Sequence, residues 1–194
     1  MSMKNYKKIT NLIFEAAVVK RLKRTGWQIL GDNEESIGEH SFMTAVIAYI
    51  LAKEMHVSLE KIFLMSLFHD FHETRTGDLD KINKLYLTRN EKQANIDIFA
   101  SVDSKLLQIV SEYEGKKTIE AKIVYEANII ALLVELKRLE ENGNIHASEW
   151  ITKNSDRLRL PESIKLTKAL LSANTQDWWK KMRQTIHTGF KKEA

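Results

Sequence analysis

The chain has 194 residues, of which 43% are hydrophobic and 29% are charged, a composition that excludes a disordered or collagen-like protein. Lysine and arginine number 30 against 26 aspartate and glutamate residues, so the net charge of +4 fits an anionic ligand without requiring nucleic acid. The absence of cysteine excludes disulfides and thiolate metal sites, so any metal must be held by His, Asp, Glu or Asn side chains.

The distribution of breakers and apolar residues predicts an all-α fold. One proline and seven glycines are few for a chain of this length, and no segment alternates well enough for a strand. We therefore predict one bundle-like domain over residues 1–194, built from about eight or nine helices. Because no apolar run reaches the ~20 residues of a membrane span and no signal peptide is evident, we expect a soluble, cytoplasmic protein without a membrane partner.

The predicted helices begin at capping residues and end at glycines or where apolar periodicity is lost. In chain order the first four are expected over residues 4–21, 36–55, 58–77 and 88–100. The next begin at Asp103 and at Thr118, the latter ending at Gly143, and are followed by a helix from Pro161 to Leu171. The last begins at Thr175 or Asp177, and its two tryptophans are expected to pack on the core. A glycine-containing turn is expected over residues 24–38. Ser36 with Glu39, and Thr88 with Glu91, have the spacing of a capping box.

Two histidine motifs beside acidic residues are candidates for a metal site. His40 follows Glu39 at the start of the second predicted helix, and His69-Asp70 lies near the end of the third. Neighbours on a helix are about 100° apart, so His69 and Asp70 can reach one metal ion, with Glu73 on the same side. If the two helices are antiparallel neighbours, His40 lies close by. Imidazole and carboxylate suit Zn, Mn, Fe, Co or Ni.

Three motifs in this order resemble the HD-domain metal-dependent phosphohydrolases, and among them the 5′-deoxynucleotidase branch. The motifs are Lys23-Arg24-Thr25-Gly26-Trp27, Ser36-Ile37-Gly38-Glu39-His40 and the run HDFHETRTGD from His69 to Asp78. The resemblance covers residues 8–140, and the helices over residues 145–194 are expected to pack on that core. It implies an all-α HD-domain bundle.

The resemblance implies one divalent metal ion, of the set Co, Mn, Zn, Mg, Fe and Ni, held by His40, His69, Asp70 and a residue of a later helix. That last position is an aspartate in the family and is Asn128 here. An amide oxygen can ligate but brings no charge, so it holds a hard cation less tightly. Two interpretations remain open. Either Asn128 still occupies the fourth corner, or the protein binds metal weakly and is a slow or degenerate enzyme.

The resemblance also implies roles for other motif residues. Glu73, together with the ligand Asp70, would form the catalytic pair, with Glu73 as the acid/base group. Arg24 would pair with the phosphate, while Trp27 would wall the sugar pocket and Asp78 would bond the sugar 3′-hydroxyl. Each of the last three also has a plainer interpretation. Arg24 is then a surface residue, Trp27 covers the end of the core, and Asp78 caps a turn.

The implied function is a metal-dependent phosphomonoesterase that converts (deoxy)ribonucleoside 5′-monophosphates to nucleoside and phosphate, as a homodimer. Asn128 also leaves open a catalytically weakened nucleotide-binding or regulatory protein. A different nucleotide substrate is a further alternative, as is a helical interaction protein with structural histidines. His72 lies within the third motif but outside the ligand set of the family, so one metal ion is expected.

Overall fold

The computed structural model describes residues 3–31 and 35–190, and within these ranges it contains helices and no strand. The α-helices are α1 Met3–Val19, α2 Ile37–Ala52, α3 Leu59–Phe68, α4 Glu73–Thr76, α5 Glu91–Phe99, α6 Ser104–Gly115, α7 Ile119–Glu141, α8 Ala147–Ser155, α9 Pro161–Ser172 and α10 Lys180–Phe190. Short 3-10 helices lie over Thr25–Leu30, Asn83–Leu85 and Asp177–Trp179. The predicted all-α class is confirmed. Residues 32–34 of the predicted turn lie outside the described residues. None of the described helices is long and apolar enough to cross a membrane.

Side-chain caps account for several of the helix starts that the sequence predicted. The hydroxyl of Ser36 accepts from the backbone N–H of Glu39 at 3.2 Å, and the Glu39 carboxylate accepts from the N–H of Ser36 at 2.6 Å, so the predicted capping box is present. Asp103 and Thr118 cap α6 and α7. Gly143, with a φ of 94°, follows α7 in the left-handed conformation typical of helix ends.

Three features of the helices differ from the prediction. Helix α5 is capped by Asn90, whose side chain accepts from the N–H of Gln93, and not by Thr88, because asparagine is the better capping residue. The bounds of helix α8 were not predicted, since His146 at its start makes no side-chain cap. Trp178 is 77% exposed and lies beside the ring of Trp179, so the expected packing on the core is wrong for Trp178.

The third predicted helix is shorter than expected. It ends at Phe68 instead of near Gly77, and the chain turns through residues 69–72 before the short helix α4. Several backbone N–H groups in this turn bond to carbonyls three residues back, so the segment is wound more tightly than an α-helix. The relative position of His69 and Glu73 is therefore set by this turn, and not by one continuous helix face.

The core is built around α7, which packs against α2, α3, α6, α8 and α9. A helix surrounded by others needs apolar residues on every face. The fully buried residues of α7 supply them, and they are Ala121, Ile123, Val124, Ala127, Ile130, Ala131, Leu133, Leu136 and Leu139. A second cluster joins α1, α5 and α6 around Phe71 and Phe99, whose ring centroids are 5.6 Å apart. Because Phe71 belongs to this cluster, packing fixes the turn of residues 69–72.

Candidate active site

The start of α2 and the turn after α3 bring His40, His69 and Asp70 together. One ligand atom of each residue lies within 4.8 Å of the other two, and the two imidazole centroids are 5.8 Å apart. Both histidines are buried and the Asp70 side chain is partly exposed. The two motifs singled out in the sequence thus lie side by side, 29 positions apart in the chain. Among the described residues this is the one group of three such ligands.

The ring of His69 has the orientation and protonation of a metal ligand. Its Nδ1 lies 2.9 Å from the carbonyl oxygen of Ser66, so Nδ1 carries the proton and Nε2 keeps its lone pair. Within the described part of the chain Nε2 is buried without a hydrogen-bond partner, and it lies 3.1 Å from Oδ2 of Asp70. A cation that bound Nε2 would therefore also be within reach of Oδ2 of Asp70.

Asn128 faces His40 through its side-chain oxygen. Oδ1 lies 2.8 Å from Nε2 of His40, while Nδ2 donates to the hydroxyl of Tyr113 at 3.2 Å. The amide nitrogen is thereby directed to Tyr113 and the oxygen to the cluster. Two imidazole nitrogens, one carboxylate oxygen and one amide oxygen fit a divalent ion, and this donor set carries a single negative charge. Tyr113 was not anticipated from the sequence. Burial raises the pKa of its hydroxyl, which stays neutral.

His40 is neutral in this environment. Burial, followed by the positive charge of Arg24, lowers the pKa of His40. Its Nδ1 lies 2.8 Å from Nη1 of Arg24, and a guanidinium can only donate, so in this arrangement the ring proton is on Nε2. Ligation through Nε2 requires that proton on Nδ1, where Oε1 of Glu35 lies 3.6 Å away.

Glu35 connects the cluster to two other predicted site residues. Its buried carboxylate accepts from Nη1 of Arg24 at 3.2 Å and from the indole N–H of Trp27 at 2.8 Å. Burial opposes ionisation, but the hydrogen bonds to His40 and Trp27 and the positive charge of Arg24 hold the pKa of Glu35 below its usual value. Sequence reasoning missed Glu35, because an acidic residue next to a helix start is common and gives no signal of burial.

A cavity of about 440 Å³ adjoins the cluster, within the ~300–1,000 Å³ range of small-molecule sites. It is lined by Arg24, Trp27, Glu73 and Asp78 as well as by the candidate ligands on α7 and after α3. Trp27 is 1% exposed and also belongs to the main core, so it covers the core and walls the cavity at once. Asp78 accepts from the backbone N–H of Thr25 at 2.5 Å and therefore also ties down a turn.

Glu73 is a buried carboxyl group with one unengaged oxygen. Burial, together with the negative charges of Asp70 and Asp78, raises the pKa of Glu73 to about 9, although Arg89 opposes the shift. Its Oε1 accepts from Nη1 of Arg89 at 3.1 Å, whereas Oε2 is buried with no hydrogen-bond partner among the residues described. A carboxyl group with a raised pKa is a stronger base than an ordinary glutamate, so it can take a proton from water and give it up again.

His72 also lines the cavity and is buried. Its Nε2 lies 3.8 Å from Oε2 of Glu91, and neither ring nitrogen has a hydrogen-bond partner in the described part of the chain. His72 is not a member of the ligand group formed by His40, His69 and Asp70.

Known proteins resemble this chain in sequence and in fold. The HD domain family model matches residues 16–163. A 5′-deoxynucleotidase of Danio rerio is 27% identical over 164 residues, which cover 78% of this chain and 80% of that protein. A 5′-deoxynucleotidase of Vibrio vulnificus is 30% identical over 126 residues, covering 56% of this chain and 63% of the relative. A solved structure of a conserved hypothetical protein from Pyrococcus furiosus has a TM-score of 0.73 at 25% identity, over 83% of this chain and 98% of that one. Because the HD domain family model matches more than half of the residues, the chain belongs to the HD domain family.

Proposed function

We propose that the protein is a 5′-nucleotidase that hydrolyses deoxyribonucleoside 5′-monophosphates, and ribonucleotides less well, to nucleoside and phosphate. The observation that carries the proposal is the convergence of His40, His69 and Asp70 with the oxygen of Asn128 beside a cavity that Arg24 also lines. The names of the relatives from Danio rerio and Vibrio vulnificus support the same substrate class. The four candidate ligands lie at one side of the cavity, so the rest of the cavity is available for the nucleotide.

The site residues divide the chemistry among them. A divalent ion held by the four candidate ligands would supply Lewis-acid activation of water and neutralise charge on the phosphoryl oxygens. Arg24 binds the phosphate through parallel hydrogen bonds of its planar guanidinium. Glu73 accepts a proton from the attacking water while the water oxygen bonds to phosphorus. The ester P–O bond then breaks, and the departing 5′-oxygen takes that proton from Glu73. Trp27 and Asp78 bound the sugar.

A substrate panel tests this proposal. The protein is stripped of metal and resupplied separately with Co²⁺, Mn²⁺, Mg²⁺ and Zn²⁺. Phosphate release is then measured from deoxy- and ribonucleoside 5′-monophosphates, with cyclic nucleotides and deoxynucleoside triphosphates alongside. Release from the deoxy monophosphates in preference to the ribo forms is expected. Turnover of only the cyclic nucleotides or triphosphates would replace the proposed substrate class, and silence with every ion would favour a binding module.

The amide at position 128 favours one second candidate, a nucleotide-binding protein with weakened catalysis. Asn128→Asp separates the two. We expect its metal affinity to rise at least about tenfold, because a unit charge ~4 Å from the ion is worth more than 1.4 kcal/mol even at an effective dielectric constant of 20. The hydroxyl of Tyr113 can rotate to donate to the new carboxylate, so the substitution fits. Affinity is measured by titrating metal-stripped protein against a chelator.

Asn174→Asp is the matched control, since Asn174 is exposed and the charge change is the same. Higher affinity together with a higher kcat identifies a weakened enzyme. Higher affinity without turnover identifies a binding module. An affinity equal to that of the wild type would remove Asn128 from the ligand set.

We further propose that the protein is a homodimer that associates through the outer face of α2 and α3. Seven large apolar side chains on this face are between 38% and 63% exposed, namely Phe42, Val46, Tyr49, Ile50, Leu59, Phe63 and Leu67. The rings of Tyr49 and Phe63 stack at 5.9 Å and join the two rows into one surface. Together these side chains expose several hundred Å² of apolar area, as a standard interface core requires.

Phe42→Glu is expected to convert the dimer to a monomer, because a charge buried within an apolar interface is not compensated. Light scattering after size exclusion measures the mass. Phe14→Glu on α1 serves as control, since Phe14 is 72% exposed and lies on another helix. A wild-type protein that is monomeric at micromolar concentration contradicts the proposal.

A further inference from the structure

We propose that Arg89 is a positioning residue, which holds the carboxyl group of Glu73 and the backbone before Asp78 in one fixed arrangement. The inference rests on the acid/base role given to Glu73 above. Arg89 belongs to none of the three sequence motifs and lies in the segment between α4 and α5. It lines the cavity, and its side chain is only 9% exposed.

The guanidinium of Arg89 joins three parts of the chain. Nη1 donates to Oε1 of Glu73 at 3.1 Å and to the carbonyl oxygen of Gly77 at 2.5 Å, while Nη2 donates to Oε1 of Glu91 at 2.5 Å. The first acceptor begins α4, the second ends it and the third begins α5. Because the N–H directions of a guanidinium are rigid, one side chain fixes the relative positions of all three acceptors.

The carboxyl group of Glu73 and the backbone before Asp78 both depend on Arg89 for their positions. The second oxygen of Glu73 makes no hydrogen bond within the described residues, and α4 has only four residues, too few to be rigid alone. Gly77 has a φ of 72° and a ψ of 154°, a backbone conformation open to glycine and strained for other residues. The bond from Arg89 to its carbonyl sets the direction in which the chain enters Asp78. Loss of Arg89 therefore loosens both Glu73, the acid/base group, and Asp78, the residue assigned to the sugar.

The charge of Arg89 acts on the same carboxyl group. Asp70 and Asp78 face Glu73 from its own segment, and Arg89 faces it from the segment before α5, together with its partner Glu91 at the start of α5. On α1, Glu15 accepts hydrogen bonds from Thr74 and Arg75 and not from Arg89. The positive charge of Arg89 thus lowers the pKa of Glu73, whereas burial and the two carboxylates raise it. Without it the proton of Glu73 is retained to higher pH, and the base form that accepts a proton from water becomes scarce.

Arg89→Met and Arg89→Lys test this inference, with Arg75→Met as the matched control. Arg75 lies on the same short helix as Glu73 and forms a similar ion pair with Glu15 of α1, but it does not line the cavity. For Arg89→Met we expect kcat to fall ~10- to 100-fold, the effect of a small misplacement of a reacting group. The pH of half-maximal kcat should rise by about 1 to 3. Arg89→Lys should keep the pH profile near that of the wild type but lose kcat, since one ammonium cannot hold all three acceptors.

A second readout needs no substrate. In protein labelled with ¹³C at the glutamate δ-carbon, the Glu73 signal is assigned by its loss in Glu73→Gln, and its titration is followed by NMR. In Arg89→Met it should titrate at higher pH than in the wild type. If the wild-type protein hydrolyses no nucleotide but this shift is present, the proposed function fails and the positioning role stands.

A folded Arg89→Met protein with the wild-type kcat, pH profile and Glu73 titration overturns the inference. Thermal melting and metal content establish that the variant is folded and loaded. If Arg89→Met does not fold, Arg89→Lys decides the matter, because a wild-type kcat in that variant overturns the three-point hold and a reduced kcat supports it.

Discussion

Asp70→Asn is expected to abolish stoichiometric metal binding and to lower kcat/KM at least ~10³-fold, equivalent to about 4 kcal/mol of transition-state stabilisation. Asp70 supplies the single negative charge of the candidate ligand set, since the two imidazoles and the amide of Asn128 are neutral. Burial opposes the ionisation of Asp70, but its contact with His69 and the positive charge of Arg24 hold the pKa of Asp70 well below its usual range. The substitution therefore removes a full charge at constant shape.

Elemental analysis after loading and dialysis measures the metal, and phosphate release measures activity. Asp156→Asn is the control, because Asp156 is exposed and does not line the cavity. Stoichiometric metal retained by Asp70→Asn would show that the ion binds elsewhere. Stoichiometric metal in the wild-type protein would also exclude the interaction protein with structural histidines.

Glu73→Gln is expected to lower kcat by about 10²- to 10⁴-fold, the usual contribution of a positioned acid/base group. KM and metal affinity should change little, because Glu73 is not a member of the ligand group. A kcat close to that of the wild type would transfer the acid/base role to another residue. The measurement is a full pH profile of both proteins at saturating metal.

The same variant should be more stable than the wild type at alkaline pH. The pKa of Glu73 is raised from 4.5 to about 9 in the folded protein. Below pH 4.5 the carboxyl group is protonated in both states, and as pH rises to about 9 the folded state alone keeps the proton, so stability falls through this window. Glutamine resembles the protonated carboxyl group. Thermal melts of the metal-free proteins should therefore diverge with pH in favour of Glu73→Gln. A lower melting temperature of the variant at pH 9 would mean that an ionised Glu73 is paired favourably with Arg89.

Local sequence signals predicted the parts of the fold that depend on neighbours in the chain. The capping box at Ser36, the cap at Thr118 and the stop at Gly143 each involve contacts within a few residues. The apolar run of α7 predicted a long helix for the same reason. The turn of residues 69–72 was missed, because the helical periodicity of α3 continues into it and only its packing through Phe71 shows where the helix ends.

The candidate site was predictable where a motif carries its chemistry. His40 and the His69-Asp70 pair have ligand side chains, and their approach follows from the packing of α2 on α3. Glu35, Arg89 and Tyr113 were missed, because each acts through partners distant in sequence. Arg89, for example, is 16 positions from Glu73. An isolated arginine or glutamate in a chain with 29% charged residues gives no signal of burial or of its partner.

The carboxylate of Glu35 has a thermodynamic consequence for ligand binding. It contacts the arginine assigned to the phosphate and the tryptophan assigned to the sugar, and it lies behind the imidazole assigned to the ion. A ligand that shifts any one of these side chains changes the hydrogen bonds that Glu35 makes to the other two. Cation and nucleotide should therefore bind with a shared coupling free energy. By reciprocity, the factor by which the cation tightens the nucleotide equals the factor by which the nucleotide tightens the cation.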